Sequence, residues 1–190
     1  MIDLRKNVWT AVAAVTAVQL AVLGYMVWSR VHLLKHGREI TVDVVPVDPR
    51  DIFRGDYVVL GYPFSAAGGL GNTNVTLPDG VHEGSAVYMT LSQGEGGTWS
   101  MARLDRTYPA TVASQDIVLK GHVERLWGDH TSRVRYGIES YFVPEGTGTE
   151  IEKLVRDKKV RAVIAVASDG TAALKALEAG GKRLQEQQGL

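Results

Sequence analysis

A chain of 190 residues, 45% hydrophobic and 22% charged, holds enough apolar material to fold, which excludes a wholly disordered polypeptide. It has room for one ordinary domain plus an appendage, not for two large domains closing on a cleft. Its 21 basic residues balance 21 acidic ones, so general attraction to nucleic acid is disfavoured, and zero cysteines exclude disulfides, thiolate metal clusters and cysteine nucleophiles.

The stretch from Val8 to Trp28 carries no formal charge, and only Thr10, Thr16 and Gln19 interrupt it as polar residues. About 20 residues at 1.5 Å rise cross a hydrocarbon core of about 30 Å, whereas the apolar region of a cleaved leader usually has about 7–15. The residues that follow, Ser29-Arg30-Val31-His32-Leu33, do not resemble a small-residue cleavage site. The sequence therefore predicts a retained transmembrane anchor over residues 8–29, immersed in the lipid bilayer, with Trp9, Tyr25 and Trp28 at its interfaces. Arg5 and Lys6 precede the span while Arg30, Lys35 and Arg38 follow it, so the positive-inside count is divided. The short basic N-terminus favours a cytoplasmic tail over residues 1–7 and sends the remainder outside the cytoplasm. Ala13, Ala17, Ala21 and Gly24 share one helix face, on which a second membrane helix can approach closely, with Gln19 as a hydrogen-bonding partner in such a contact.

A juxtamembrane stalk is expected over residues 30–39, with the helix continuing to His36 and Gly37 offering a C-cap. The β-rich domain is then expected over residues 40–178. Ile40 to Val45 is β-branched, Pro46 and Pro49 interrupt it, and Asp56 to Phe64 forms the next candidate strand. Residues 65–74 read as a glycine-rich exposed loop, without the lysine or strand-loop-helix context of a phosphate cradle. Two hairpins follow: Ala86 to Leu91 with Thr98 to Asp105, and Ile117 to Trp127 with Arg133 to Phe142. Residues 148–157 have helical character, and Val160 to Ala167, the Asp169-Gly170 turn and Thr171 to Leu177 return to β, the last as a strand or a short helix. Residues 179–190 read as a polar, loose tail. The fold class is α+β, mainly β: one N-terminal transmembrane helix followed by a compact β-rich extracytoplasmic domain with one short helix.

The segment Gly55-Asp56-Tyr57-Val58-Val59-Leu60-Gly61-Tyr62 reproduces the pattern G-D-Y-x-x-L-x-Y in full. Asp48 to Arg54 upstream and Tyr136-Gly137-Ile138-Glu139-Ser140-Tyr141-Phe142-Val143-Pro144-Glu145-Gly146 downstream extend the likeness, and with the N-terminal anchor the chain resembles the bacterial membrane-anchored GDYXXLXY family over nearly its whole length. The resemblance implies a single-pass envelope protein of the bacterial inner membrane, with its C-terminal domain periplasmic, found beside polytopic membrane proteins.

Physically, Asp48-Pro49-Arg50-Asp51 suits a turn, because proline fixes φ and aspartate bonds nearby amides, and Gly55 permits a backbone geometry that a Cβ would hinder. Strand alternation puts Tyr57 on one face and Leu60 and Tyr62 on the other. Two readings stand: these residues build a corner and fill a β core, or they bind a partner directly. Asp48, Arg50, Asp51, Arg54 and Asp56 supply opposite charges in one short stretch, with Glu139 and Glu145 as ion-pair partners from the downstream segment. A carboxylate metal site from Asp48, Asp51, Asp56 and Glu139 is disfavoured, since the spacing lacks a calcium loop and the arginines oppose a cation. Arg54-Gly55-Asp56 also spells an adhesion tripeptide, read as coincidence. His32 and His36 share a helix face without a third ligand, which disfavours zinc, and Trp99, Tyr108, Trp127, Tyr136 and Tyr141 are expected to pack across strands.

The leading functional expectation is a noncatalytic envelope module, without a cofactor, that binds or helps assemble a membrane-protein partner. Its contact surface would join the charged corner to the Tyr141, Phe142, Pro144, Glu145 and Gly146 segment. The alternative is a membrane-bound hydrolase similar to signal peptidases, or an inactive relative of one. Val47 stands near the place of the nucleophilic serine, and Ser114 and Lys120 are available only elsewhere.

Overall fold

The computed structural model describes residues 4–45, 57–67, 75–127, 131–142, 151, 153–155, 157 and 159–186. Helix α1 runs unbroken over Leu4–His36, 33 residues or about 50 Å at helical rise. Its residues from Val8 to Trp28 stand clear of the rest of the chain, so apolar side chains including Trp9, Leu20 and Trp28 are exposed. Lys35 and His36 in the last turn complement the negative end of the helix dipole.

The helix runs on to His36 and stops at Gly37, as expected, and its last turns pack against the β domain instead of standing off it as a stalk. Leu33 and Leu34 are buried against Ala165 and Ala173, and the chain passes into strand β1 (Arg38–Asp43) directly after Gly37. The Gly37 N–H donates to the Leu33 carbonyl at 2.8 Å. A Cβ on Gly37 would lie 2.7 Å from that oxygen and 3.1 Å from Ala165 Cβ, so only glycine lets the chain leave the helix this close to the sheet.

The remaining strands are β2 (Tyr57–Val59), β3 (Ala66–Ala67), β4 (Ala86–Gln93), β5 (Trp99–Asp105), β6 (Ile117–Trp127), β7 (Thr131–Arg135), β8 (Ser140–Phe142), β9 (Val160–Val166), β10 (Ala172–Ala179) and β11 (Lys182–Glu186). They form a four-stranded sheet in the order β1-β9-β10-β11, a five-stranded sheet β3-β7-β6-β4-β5 and the small pair β2-β8, all antiparallel. One hydrophobic core joins them, with Ile40, Ile164 and Leu174 from the first sheet and Met89, Leu119 and Val134 from the second. The Lys120 N–H donates to the Gly170 carbonyl at 2.8 Å, linking the second sheet to the β9–β10 turn, where Gly170 takes a φ of 88°.

The fold is mainly β, as the sequence predicts, and both expected hairpins form. Several local expectations are settled or revised. The tail expected to be loose over residues 179–190 contains β11, because the glycine pair Gly180-Gly181, both at positive φ, turns the chain back onto β10. Thr171 to Leu177 resolves as a strand. The span from Arg133 to Phe142 is two strands in different sheets, broken where Gly137 adopts a φ of 79°. Trp127 and Tyr108 are substantially exposed, although the Tyr108 ring still meets Tyr88 of β4 edge-on at 5.8 Å. Residues 151 and 153–155 are helical, in the region expected to hold the short helix.

The small-residue face of α1 is also refined. At 100° per residue, Ala13, Ala17, Ala21 and Gly24 cluster with Thr10, whereas Gln19 falls on the far side and cannot join the same contact.

Candidate functional site at the motif strand

Strand β2 is the middle of the glycine-aspartate-tyrosine motif, and it pairs with β8 in the downstream segment: Tyr57 with Phe142, Val58 with Tyr141, Val59 with Ser140. The pairing continues past both strands, since the Leu60 N–H donates to the Glu139 carbonyl at 2.8 Å. Gly61 then bridges to Val45 on the opposite edge. The motif segment is thus clasped from both sides. Alternation sends Val58, Leu60 and Tyr62 into the core, each almost fully buried.

Two tyrosines lock this arrangement reciprocally. The Tyr62 hydroxyl donates to the Ile138 carbonyl at 2.7 Å, while the Tyr136 hydroxyl donates to the Phe64 carbonyl at 2.9 Å. Their rings hold Phe64 between them, stacked on Tyr62 at 5.2 Å and edge-on to Tyr136 at 5.3 Å. Burial, and secondarily the Glu139 carboxylate, raises both phenols well above their ordinary pKa. They remain neutral donors, unsuited to proton transfer near neutral pH.

Glu139 caps the turn before β8, and the arginines expected to pair with it, Arg50 and Arg54, lie outside the described residues. Its carboxylate accepts from the Tyr136 N–H at 2.6 Å and the Gly137 N–H at 2.9 Å, closing the turn that carries the Tyr136 latch. Sequence reasoning grouped Glu139 with the charged corner. The local signal it passed over is a carboxylate two residues after a glycine, the pattern of a side chain that caps a turn.

Beside the clasp lies a cleft of about 420 Å³, bounded by Val59, Gly61, Ser65, Glu124, Arg133 and Arg135 among others. That volume suits a small ligand or a few side chains of a partner. Arg135 pairs with Glu124 across its rim, and the enclosed Ser65 Oγ has no hydrogen-bond partner among the described residues. These residues escaped the sequence reading, although the alternation of β7, with Ser132 and Val134 inward and Arg133 and Arg135 outward, marks them as a surface row.

Of the other residues singled out, Asp48, Arg50, Asp51, Arg54, Gly55, Asp56, Pro144, Glu145 and Gly146 lie outside the described residues. The segment they begin leaves from Val45 and returns at Tyr57, both adjoining the clasp. Ser114 and Lys120 show no mutual contact: the Ser114 hydroxyl donates to the Gln115 side chain at 3.3 Å. Ser85, beside His82 at 3.0 Å, belongs to an exposed turn in which Ser85 Oγ also accepts the His82 N–H. Among the described residues, no three His, Asp or Glu side chains converge to hold a metal.

No curated protein and no solved structure matches the chain significantly. The model of the GDYXXLXY protein family matches residues 19–177, a span that contains the clasp, the latch and the end of α1. The chain belongs to the GDYXXLXY protein family.

Proposed function

We propose that this protein is a single-pass, membrane-anchored envelope module, with α1 in the cytoplasmic membrane and the β domain on its outer side, and that it binds or helps assemble a membrane-protein partner without catalysis. The observation that carries this reading is the contrast along α1. Residues from Val8 to Trp28 are apolar and uncovered, whereas Leu33 and Leu34 are buried against the sheet. An uncovered apolar rod about 30 Å long has the length and chemistry of a membrane span, and the packed junction supports a retained mount over a detachable leader. Confinement to one membrane raises the effective concentration of two weakly interacting surfaces, so a modest interface suffices. The motif clasp supports a structural role for Leu60 and Tyr62, leaving the charged corner and the Arg133–Arg135 rim as the surface offered to the partner.

The test is co-purification of the full-length protein from native membranes, followed by mass spectrometry, with Arg54→Glu and Asp56→Lys variants beside it. A polytopic partner lost in the folded variants is expected. Release of the intact chain by alkaline carbonate, or an unchanged set of partners in the variants, defeats the anchoring and the surface respectively.

A further inference from the structure

A second cleft, of about 540 Å³, opens between the end of α1 and the loop that precedes β6, with His32, His36, Arg38, Tyr108, Ser114 and Ser168 on its walls. We propose that it seats the phosphate-bearing headgroup of an anionic membrane phospholipid. The proposal rests on α1 being inserted in a bilayer, and it adds a ligand site to that reading.

Position is the first argument. With Trp28 at the hydrocarbon boundary, His32 stands about 6 Å and His36 about 12 Å beyond it along the helix, within or just above a headgroup layer several ångströms thick. The joint at Gly37 and the Leu33 and Leu34 contacts fix the cleft at that height.

A ladder of rings connects the bilayer to the cleft. Tyr25 and Trp28 lie 6.1 Å apart, Trp28 stacks on His32 at 5.2 Å, and His32 stacks on His36 at 4.4 Å. The ladder starts with two side chains that favour the membrane interface and ends on the cleft wall.

Charge supplies the selectivity. Arg38 is held in place by the carbonyls of Ser114 at 3.1 Å and Asp116 at 3.0 Å, so its guanidinium is pre-oriented at the cleft. Arg30 and Lys35 add positive charge on the same end of α1. Nearby acids are engaged elsewhere: Glu39 pairs with Lys175 and Arg183, and Asp169 accepts from the Thr171 N–H and hydroxyl. On the wall itself Asp116 balances Arg38, and the positive excess comes from Arg30 and Lys35 at the same end of α1. The hydroxyls of Ser114, Ser168 and Tyr108 add hydrogen-bonding groups suited to phosphate oxygens.

The full-length protein is placed in nanodiscs containing trace spin-labelled phosphatidylglycerol or phosphatidylcholine, and the motionally restricted fraction of each lipid is measured. The expected result is selective restriction of phosphatidylglycerol, falling on the order of fivefold in His36→Glu, the effect of one charge at an anionic surface. His36→Gln is expected to keep most of the selectivity. Lys35→Glu makes a larger charge change outside the cleft wall; if it abolishes selectivity as fully as His36→Glu, general surface electrostatics explain the effect and the cleft is not a site. Equal restriction of both lipids by an incorporated protein overturns the cleft alone, whereas failure to incorporate overturns the anchoring as well. A response of the His32 and His36 ring resonances to inorganic phosphate in nonionic detergent, without lipid selectivity in discs, assigns the cleft to a free anion and overturns the lipid proposal.

Discussion

The Tyr62 hydroxyl and the Ile138 carbonyl are 2.7 Å apart inside the core, and this bond ties the last residue of the motif to the turn before β8. Tyr62→Phe keeps the ring against Phe64 but leaves that carbonyl buried and unpaired, a loss of about 1–3 kcal/mol. Tyr136→Phe orphans the Phe64 carbonyl in the same way. Because both rings touch Phe64, the double variant is expected to depart from the sum of the two singles. Chemical denaturation of the full-length protein in detergent measures all three. A Tyr62→Phe cost near zero would show that the latch is incidental to the fold.

The same two phenols give stability a sign in alkaline solution. Each is neutral in the folded state with its pKa raised, by burial first and by Glu139 second, while the unfolded phenol ionises near pH 10. Below pH 10 both states hold the proton and the latch contributes fully. Above it the unfolded state loses protons first, so stability falls as pH rises, by about 1.4 kcal/mol per pH unit for each tyrosine. Unfolding free energies measured above pH 10 should show this slope, and either single phenylalanine variant should remove one tyrosine's share of it.

Tyr136 needs the space that Gly121 leaves in β6. A Cβ there would lie 2.5 Å from Val134 Cγ1 and 2.9 Å from the Tyr136 ring, so Gly121→Ala overpacks the core at a cost of about 1–3 kcal/mol. Val134→Ala in the same chain relieves the closest contact but not the ring, and only part of the loss should return. Gly137→Ala is different in kind. Its Cβ would meet no atom within 4 Å, so the penalty is the positive φ alone, about 1–2 kcal/mol, and Val134→Ala should leave it unchanged.

What was legible in the sequence follows the range of the interactions concerned. The long apolar helix, the two hairpins and the shared face of Val58, Leu60 and Tyr62 are products of local periodicity, and each is present. The pairing of the motif with the Tyr136 to Phe142 segment joins residues some 80 positions apart, and only the family resemblance hinted that both stretches mattered together. The turn-capping role of Glu139 is not visible in the charge pattern, because it depends on how the Tyr136 and Gly137 amides fold around the carboxylate. The packed joint was missed for a related reason. Gly37 reads as a helix stop from sequence, and its second use, admitting the sheet to within contact of the helix end, depends on Ala165 in a distant strand.

That joint predicts how the domain moves. Leu33 and Leu34 occupy the patch formed by Ala165 and Ala173, and the Arg30 guanidinium reaches the Ala172 carbonyl at 3.4 Å, so three successive contacts resist rotation of the domain about α1. Because the chain has no cysteine, a spin-label pair introduced at Ser29 and Lys182 reports this geometry without background labelling. The full-length protein in nanodiscs should give a narrow distance distribution. Leu34→Asp buries a charge in the patch and should broaden that distribution, while the Tyr62 and Tyr136 latch, in a hydrophobic cluster separate from the joint, keeps its near-ultraviolet circular dichroism. A broad distribution in the unmodified protein would mean that the domain swings on a flexible tether. The height of the second cleft above the bilayer would then not be fixed, and a headgroup could not be held there by position.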